Sequence, residues 1–484
     1  MRSRQIKARS KLSDLRSFLD QLERSGQLKR VKAEVSVDLE IAEILRRVAK
    51  GGPALLFERI KGFEGWRLVG NLFSTLDRVK MALGVENLEE AGERFTKLAK
   101  GPPPISLGEK IRALSEAATL GRYLPKLRSG QWQEGRWDEP DLERVPALKT
   151  WPKDAGRFFT FPVVITKDPE TGIHHFGVYR MQIMGKDVTG MHWHIHKRGA
   201  AYKEKYGDDM PVAVAVGVDP AVAFAAVAPV PEGIDSYLFA GVIAGRSIHV
   251  AEGKETGLLI PSSAELVMEG RVPADEMMVE GPFGDHMGYY TPPAPFPVFR
   301  VEAMYTRDDP IFHATVVGYP WLEDAVLGKA VERVFLPFVR MLMPEVVDLD
   351  LPEYGLFHGL AIVSIRKRYP GHARQVAMGL LGLGQFSLTK IVVVVDHDVN
   401  VHDINQVIYA VASTVDPQRD VQVIENAVAD ELDHASVAPR MGGKLIIDAT
   451  RKLREEYGRE WPEPVAPDPE VARRVDERWS EFGI

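Results

Sequence analysis

The sequence predicts a multi-domain α/β protein in which two α/β regions flank a middle region built of short strands. Three observations carry this. The chain is 484 residues long and 45% hydrophobic, enough to bury more than one core. Helical and buried-strand patterns alternate near the start and again after residue 326, as they do in α/β folds. Between residues 151 and 312 the texture changes to short alternating strands punctuated by Pro and Gly, which favours a barrel or sandwich.

Residues 12–25 place Leu15, Phe18, Leu19 and Leu22 at helical spacing and stop at Gly26, so an amphipathic helix opens the chain. A second helix is expected over 39–48. Gly51-Gly52-Pro53 then leads into an apolar strand at 54–57, and residues 68–70 with a helix around 76–83 complete a small α/β unit. Gly101-Pro102-Pro103-Pro104 reads as a linker. In the middle region, residues 163–166, 176–183, 212–218 and 298–305 read as strands. Further on come a strand at 360–365, a helix from His372, a strand at 391–395, a helix from Ile404 and a strand at 421–424. A Pro-rich segment, 461–469, precedes a final amphipathic helix. The expected division is 1–105 as an N-terminal α/β domain, 106–150 as a helical linker, 151–325 as the strand-rich domain, 326–460 as a C-terminal α/β domain and 461–484 as a tail helix.

A net charge of −7 gives no general field for nucleic acid. The absence of cysteine removes disulfides, thiolate metal sites and cysteine nucleophiles together. The basic start lacks an apolar signal core, and the most apolar runs, 211–218 and 391–395, are too short to span a bilayer. A soluble, cytoplasmic protein is expected. Charged residues at 27% without cysteine lean towards a thermophilic source.

Two stretches differ from ordinary core or surface. Residues 174–200, HHFGVYRMQIMGKDVTGMHWHIHKRGA, set Arg180 on a predicted strand and then gather His192, His194, His196, Lys197 and Arg198. Alternate histidines on a strand share a face and can ligate a metal, while the cations suit a phosphate monoester. A solvated edge strand fits the residue types equally well. Residues 280–293, EGPFGDHMGYYTPP, separate Glu280 from Asp285 by a turn-forming Gly-Pro-Phe-Gly. Two acids near an arginine can divide their roles, one held ionised and the other raised in pKa to move protons. On spacing alone, an exposed acidic loop is the stronger reading.

At these stretches the sequence resembles the UbiD decarboxylase family, and the likeness covers nearly the whole chain. It is carried by Gly177-Val178-Tyr179-Arg180, by His192-Trp193 with His196, Gly199 and Ala200, and by YLFAG (237–241). PSSAELVMEG (261–270), EGPFGDHMGYY (280–290) and Ala325-Val326-Leu327-Gly328 follow. KRYPGHA (367–373), DHDVNVHD (396–403) and the run from Gly443-Lys444 to Asp448-Ala449-Thr450 complete the family's order.

The resemblance implies a central split β-barrel of flavin-reductase type binding prenylated FMN, and a (de)carboxylase acting on an α,β-unsaturated or aromatic acid. Candidate substrates are hydroxybenzoate-type acids of quinone synthesis, small aromatic acids and the anhydromevalonate phosphate of archaeal isoprenoid synthesis, with composition tilting towards the last. Arg180, Glu280 and Asp285 fall on catalytic positions: Arg180 orients the carboxylate, Glu280 pairs with Arg180, and Asp285 protonates the carbon that carbon dioxide leaves. Val178, Tyr179, His192, Trp193, His194, Lys197 and Arg198 fall on stretches that wrap the flavin and its phosphate. His175 and His196 fall near a divalent metal, manganese or magnesium, with potassium as a further candidate. Two departures stand out: His175 replaces a ligating Asn, and Ser236 replaces a metal-binding Glu, with Asp235 beside it facing away if the segment is regular strand. The resemblance further implies a flavin prenyltransferase as cofactor supplier and a homodimer or homohexamer in which the tail helix packs on a neighbour. A split-barrel flavin oxidoreductase and a non-catalytic cofactor-binding or assembly protein are the alternatives.

Overall fold

The computed structural model describes residues 12–99, 120–193, 198–319 and 321–484. The opening helix, Leu15–Arg24, is capped by Asp14, whose carboxylate accepts the backbone N–H of Ser17, and it buries Leu15, Phe18, Leu19 and Leu22. Behind it lies a four-stranded sheet in the order Leu28–Val35, Ala54–Ile60, Arg67–Gly70, Ile311–His313. The last of these comes from the far end of the middle region and pairs in parallel with Arg67–Gly70. The N-terminal sheet is therefore completed by a strand more than two hundred residues away in sequence, which ties the two regions together.

The middle region is an eight-stranded antiparallel sheet. Its path runs Val188–Gly190, Ala294–Thr306, Leu266–Val272, Met210–Val216, Val163–Lys167, His174–Val178, and both Met277–Glu280 and Gly135–Arg136 pair with the long Ala294–Thr306. Among the described residues no ladder joins the first strand of this path to the last, so the sheet is not closed into a barrel. Strand alternation serves two cores. Val212, Val214 and Val216 enter one apolar cluster while Ala213 and Ala215 enter the other. Both faces are covered, which is why this strand reads as a continuous apolar run. Part of the covering comes from the helices Pro220–Val227 and Ser236–Ala244, whose side chains are nearly all buried.

Residues 120–150, expected as part of a helical linker over 106–150, instead form two short strands and two single 3₁₀ turns (Gln131–Glu134 and Leu142–Arg144). Gly130, Gly135 and Pro140 interrupt any helical register there. Residues 106–119 lie outside the described residues.

The C-terminal region is a five-stranded sheet in the order Val346–Asp350, Leu360–Ile365, Ile391–Asp396, Met441–Ala449, Val421–Val428. The three central strands are parallel and the two edges antiparallel. Val392 and Val394 pack on the side of the helix His372–Leu381, and Val393 and Val395 on the side of Ile404–Thr414. A 20-residue helix, Glu323–Leu342, leads from the middle region into this sheet and packs on the N-terminal helix Leu88–Ala99. Their approach is so close that a Cβ on Gly92 would overlap the Val334 carbonyl. Among the described residues no helix is long and apolar enough to cross a membrane.

Candidate active site

The segment expected as one strand over 176–183 is broken. His174–Val178 ends before Tyr179 and Arg180, and a two-residue strand, Met181–Gln182, resumes beyond them. Arg180 thus leaves the ladder and turns into the protein, where it is 9% exposed. Met277–Glu280 ends on Glu280, and the hairpin pairing Phe283–Gly284 with Tyr290–Thr291 carries Asp285 at its turn. Gly288 closes that turn at φ +77°, its N–H donating to the Asp285 carbonyl at 2.9 Å.

These elements bring the three side chains together. Arg180 Nε donates to Glu280 Oε1 at 2.9 Å, and Arg180 Nη1 donates to Asp285 Oδ2. Thr291 bridges the second pair, its hydroxyl donating to Asp285 Oδ2 at 3.2 Å and accepting from Arg180 Nη1 at 3.4 Å. The Phe283 ring sits 4.8 Å from the guanidinium. His192 Nδ1 lies 2.8 Å from Glu280 Oε1, with its ring against Phe296 at 4.0 Å. A Cβ on Gly190 would collide with the Glu280 carboxylate, so a glycine there makes room for the acid. Among the described residues, Arg180 Nη2 and Glu280 Oε2 are buried and have no hydrogen-bond partner.

The charge on Asp285 departs from the expectation of a proton-moving acid raised in pKa. Burial does push its pKa up, but the charges of His286 and Arg180 and the His286 backbone N–H outweigh it and hold the carboxyl below its usual range. The acid is ionised at rest and must acquire a proton before it can give one.

The second group of expected residues lies along the same segment. His175 Nε2 is 3.3 Å from the Tyr179 hydroxyl, and His175 Nδ1 is 3.5 Å from Arg198 Nη1. Arg198 Nη2 donates to the Val230 carbonyl at 2.6 Å. Tyr179 and Trp193 are buried with ring centroids 6.3 Å apart, Val178 packs against the core, and burial pushes the Tyr179 phenol up. His194, His196 and Lys197 lie outside the described residues, and Met191-His192-Trp193 is irregular backbone, not strand.

Of the two expected metal donors, His175 is described and His196 is not. Residues 237–241 are helix, not strand: Ser236–Ala244 is capped by Asp235, whose Oδ1 accepts the N–H groups of Tyr237 and Leu238. An apolar run does not by itself separate buried helix from buried strand, and the Asp–Ser start with Gly245 at the end favours helix. Asp235 Oδ2 also accepts the His174 N–H at 2.9 Å, and Ser236 Oγ is 3.4 Å from the Phe176 N–H. With Arg198 beside His175, no group of three or more His, Asp or Glu converges among the described residues.

Sequence reasoning missed Thr291, Phe283 and Asp154. Asp154 Oδ1 accepts the Gly284 N–H at 2.8 Å and fixes the hairpin. It also missed His286, although that residue stands next to Asp285 in the quoted motif.

Known proteins resemble this chain over nearly its whole length. The N-terminal, Rift-related and C-terminal domain models of 3-octaprenyl-4-hydroxybenzoate carboxy-lyase (UbiD) match residues 19–95, 126–320 and 325–449. An uncharacterized protein of Aeropyrum pernix is 50% identical over 98% of this chain and 99% of its own length. Vanillic acid decarboxylase of Sedimentibacter hydroxybenzoicus, in closed form, superposes with a TM-score of 0.85 at 28% identity, over 97% of this chain and 98% of that one. The UbiD-class enzyme HmfF of Pelotomaculum thermopropionicum, in complex with FMN, gives 0.78 at 29% identity, over 95% and 98%. The three family models and these decarboxylase neighbours define the class of this protein as a carboxy-lyase. The chain belongs to the UbiD family of decarboxylases.

Proposed function

We propose that this protein moves carbon dioxide off, or onto, an α,β-unsaturated or aromatic carboxylic acid with prenylated FMN as cofactor. The observation that carries the reading is the convergence of Arg180, Glu280 and Asp285 around one guanidinium whose Nη2 has no partner among the described residues. A buried, unmet N–H donor is costly unless something arrives to accept from it. A carboxylate accepts from a guanidinium in that geometry.

Breaking the bond to a carboxylate on an sp² carbon leaves an electron pair that side chains alone stabilise poorly; the bound flavin supplies an acceptor for it. The rest is the work of this chain. Arg180 orients the carboxylate, Glu280 and His192 hold Arg180 from one side, and Asp285 delivers a proton to the carbon. His175, Val178, Tyr179, Arg180, His192, Trp193 and Arg198 are the described residues we read as holding the flavin. A cleft of about 350 Å³ bordered by Trp193, Ala200, Lys203 and Pro297 is of ligand-binding size, though Arg180, Glu280 and Asp285 do not line it. No step is routed through a metal. We further read the middle sheet as the split barrel of flavin-reductase type. The tail, in which Val471, Trp479, Phe482 and Ile484 are exposed and Pro469–Glu477 buries nothing, is read as a contact with a second copy. Among substrates, a phosphorylated isoprenoid precursor and hydroxybenzoates are the acids to screen first.

The test is co-expression with a flavin prenyltransferase, the absorption spectrum and mass of the released cofactor, and carbon dioxide release from a panel of acids. Arg180→Ala and Asp285→Asn keep the fold and lose turnover; an active Asp285→Asn protein, or ordinary FMN with redox turnover, refutes the assignment.

A further inference from the structure

Decarboxylation consumes a proton. The carbon–carbon bond breaks, carbon dioxide leaves without the bonding pair, and one proton ends on the carbon. Asp285 is 5% exposed, and its Oδ2 is occupied by Arg180 and Thr291, so the proton has to reach Oδ1. Oδ1 faces His286. It accepts the His286 backbone N–H at 2.9 Å, and the imidazole Nε2 lies 3.7 Å from it. The other ring nitrogen, Nδ1, lies 2.6 Å from Asp324 Oδ2 at the start of the helix Glu323–Leu342. The His286 side chain keeps 32% of its area exposed, against 6% for that of Asp285. One imidazole therefore touches the buried acid, an anchoring carboxylate and solvent.

We propose that His286, oriented by Asp324, is the positioning residue that relays protons between solvent and Asp285. The proposal rests on the decarboxylase reading above. In the forward direction the imidazolium gives its Nε2 proton to Asp285 Oδ1, Asp285 gives a proton to the carbon, and the neutral ring recovers one from water. Carboxylation runs the same path in reverse, and no other reactant is needed. The 3.7 Å gap must close by about 1 Å for transfer.

The groups facing the ring come from several elements. Asp285 lies on its own hairpin, Asp324 on the long helix, and Asp430 beyond the strand Val421–Val428, where it also lies 3.1 Å from His358 Nε2. The Phe357 ring stands edge-on at 5.7 Å, and Arg180 lies beyond Asp285. Burial works against charge on the ring, yet the bond to Asp324 and the charges of Asp285, Asp324 and Asp430 raise its pKa to about 9. At neutral pH the relay starts loaded.

The experiment uses the holoenzyme from co-expression with the prenyltransferase and reads carbon dioxide release from 4-hydroxybenzoate, vanillate and 3,4-dihydroxybenzoate. His286→Gln should lower kcat about 100-fold with KM nearly unchanged, and added imidazole should restore part of it. Wild-type kcat should fall as pH rises through about 9, and Asp324→Asn should move that limb to lower pH. In parallel, NMR of the imidazole resonances should show the His286 pKa dropping in Asp285→Asn. An unchanged kcat in His286→Gln, an unmoved alkaline limb in Asp324→Asn, or a His286 titration indifferent to Asp285→Asn overturns the relay. If the wild type releases carbon dioxide from none of the acids, the decarboxylase reading fails on them, and the NMR arm still decides whether His286 and Asp285 are coupled.

Discussion

Lys367 and Lys452 in the C-terminal region are buried as deeply as Arg180 in the middle region, with side chains 3%, 1% and 7% exposed. Their surroundings differ. Lys452 Nζ donates to the carbonyls of Asp448 and Thr450 at 2.8 and 2.7 Å and to Asp448 Oδ1 at 3.2 Å. Lys367 Nζ reaches Thr450 Oγ1 at 3.0 Å and Glu456 Oε2 at 2.6 Å. None of these charged side chains has a buried atom without a partner, whereas Arg180 Nη2 and Glu280 Oε2 do among the described residues. Buried charge alone marks neither cluster as a site. The two clusters differ in hydrogen-bonding capacity left unmet, which costs free energy until a partner arrives.

Predictions follow the contrast. Arg180→Ala or Asp285→Asn in the holoenzyme should cut kcat about 10²–10⁴-fold while circular dichroism shows the fold retained, with some stability lost from the broken buried pairs. Lys452→Ala should also destabilise, by about 3–5 kcal/mol in urea unfolding, yet the remaining folded protein should turn over normally. If Lys452→Ala silences a well-folded enzyme, the contrast between the clusters fails.

Stability against pH gives a smaller effect. The His286 pKa is raised in the folded state to about 9 from its usual value near 6.5, so its contribution is complete below the lower figure and lost as pH rises through the upper one. Asp285 is depressed, so its contribution is present above the ordinary carboxylate range and lost as pH falls through its lowered pKa. Melting temperatures of wild type and His286→Gln across pH 6.5 to 9 should converge at the alkaline end. Smallest of all, Arg30→Ala, which removes a pair with Glu23 whose side chains are 38% and 43% exposed, should cost at most about 1 kcal/mol.

Much of the scaffold was legible from periodicity. The apolar spacing at 12–25 becomes Leu15–Arg24, the helix expected around 76–83 is Leu76–Leu83, and the valine run at 391–395 is the strand Ile391–Asp396, buried on both faces. Two pieces were not. Val178 to Met181 carries no turn residue, so nothing local announces that the ladder breaks there and frees Arg180. Residues 237–241 are apolar throughout and have no period to read, although Asp235 and Gly245 mark the ends of a helix. In the site, the motif spacing located Glu280 and Asp285 but not the sign of the Asp285 shift. That sign depends on His286 and Arg180, which only the fold brings against it. His286 was visible as a letter, but its meaning came from Asp324, 38 residues further on.

The central claim is that Arg180 Nη2 is the unmet donor that receives the substrate carboxylate. It is tested most directly by a structure of the prenylated-FMN holoprotein with a bound aromatic carboxylic acid. The account predicts a carboxylate oxygen within about 2.7–3.2 Å of Nη2, with Asp285 at the other side of the guanidinium. A carboxylate bound elsewhere, with Nη2 still without a partner, would contradict it.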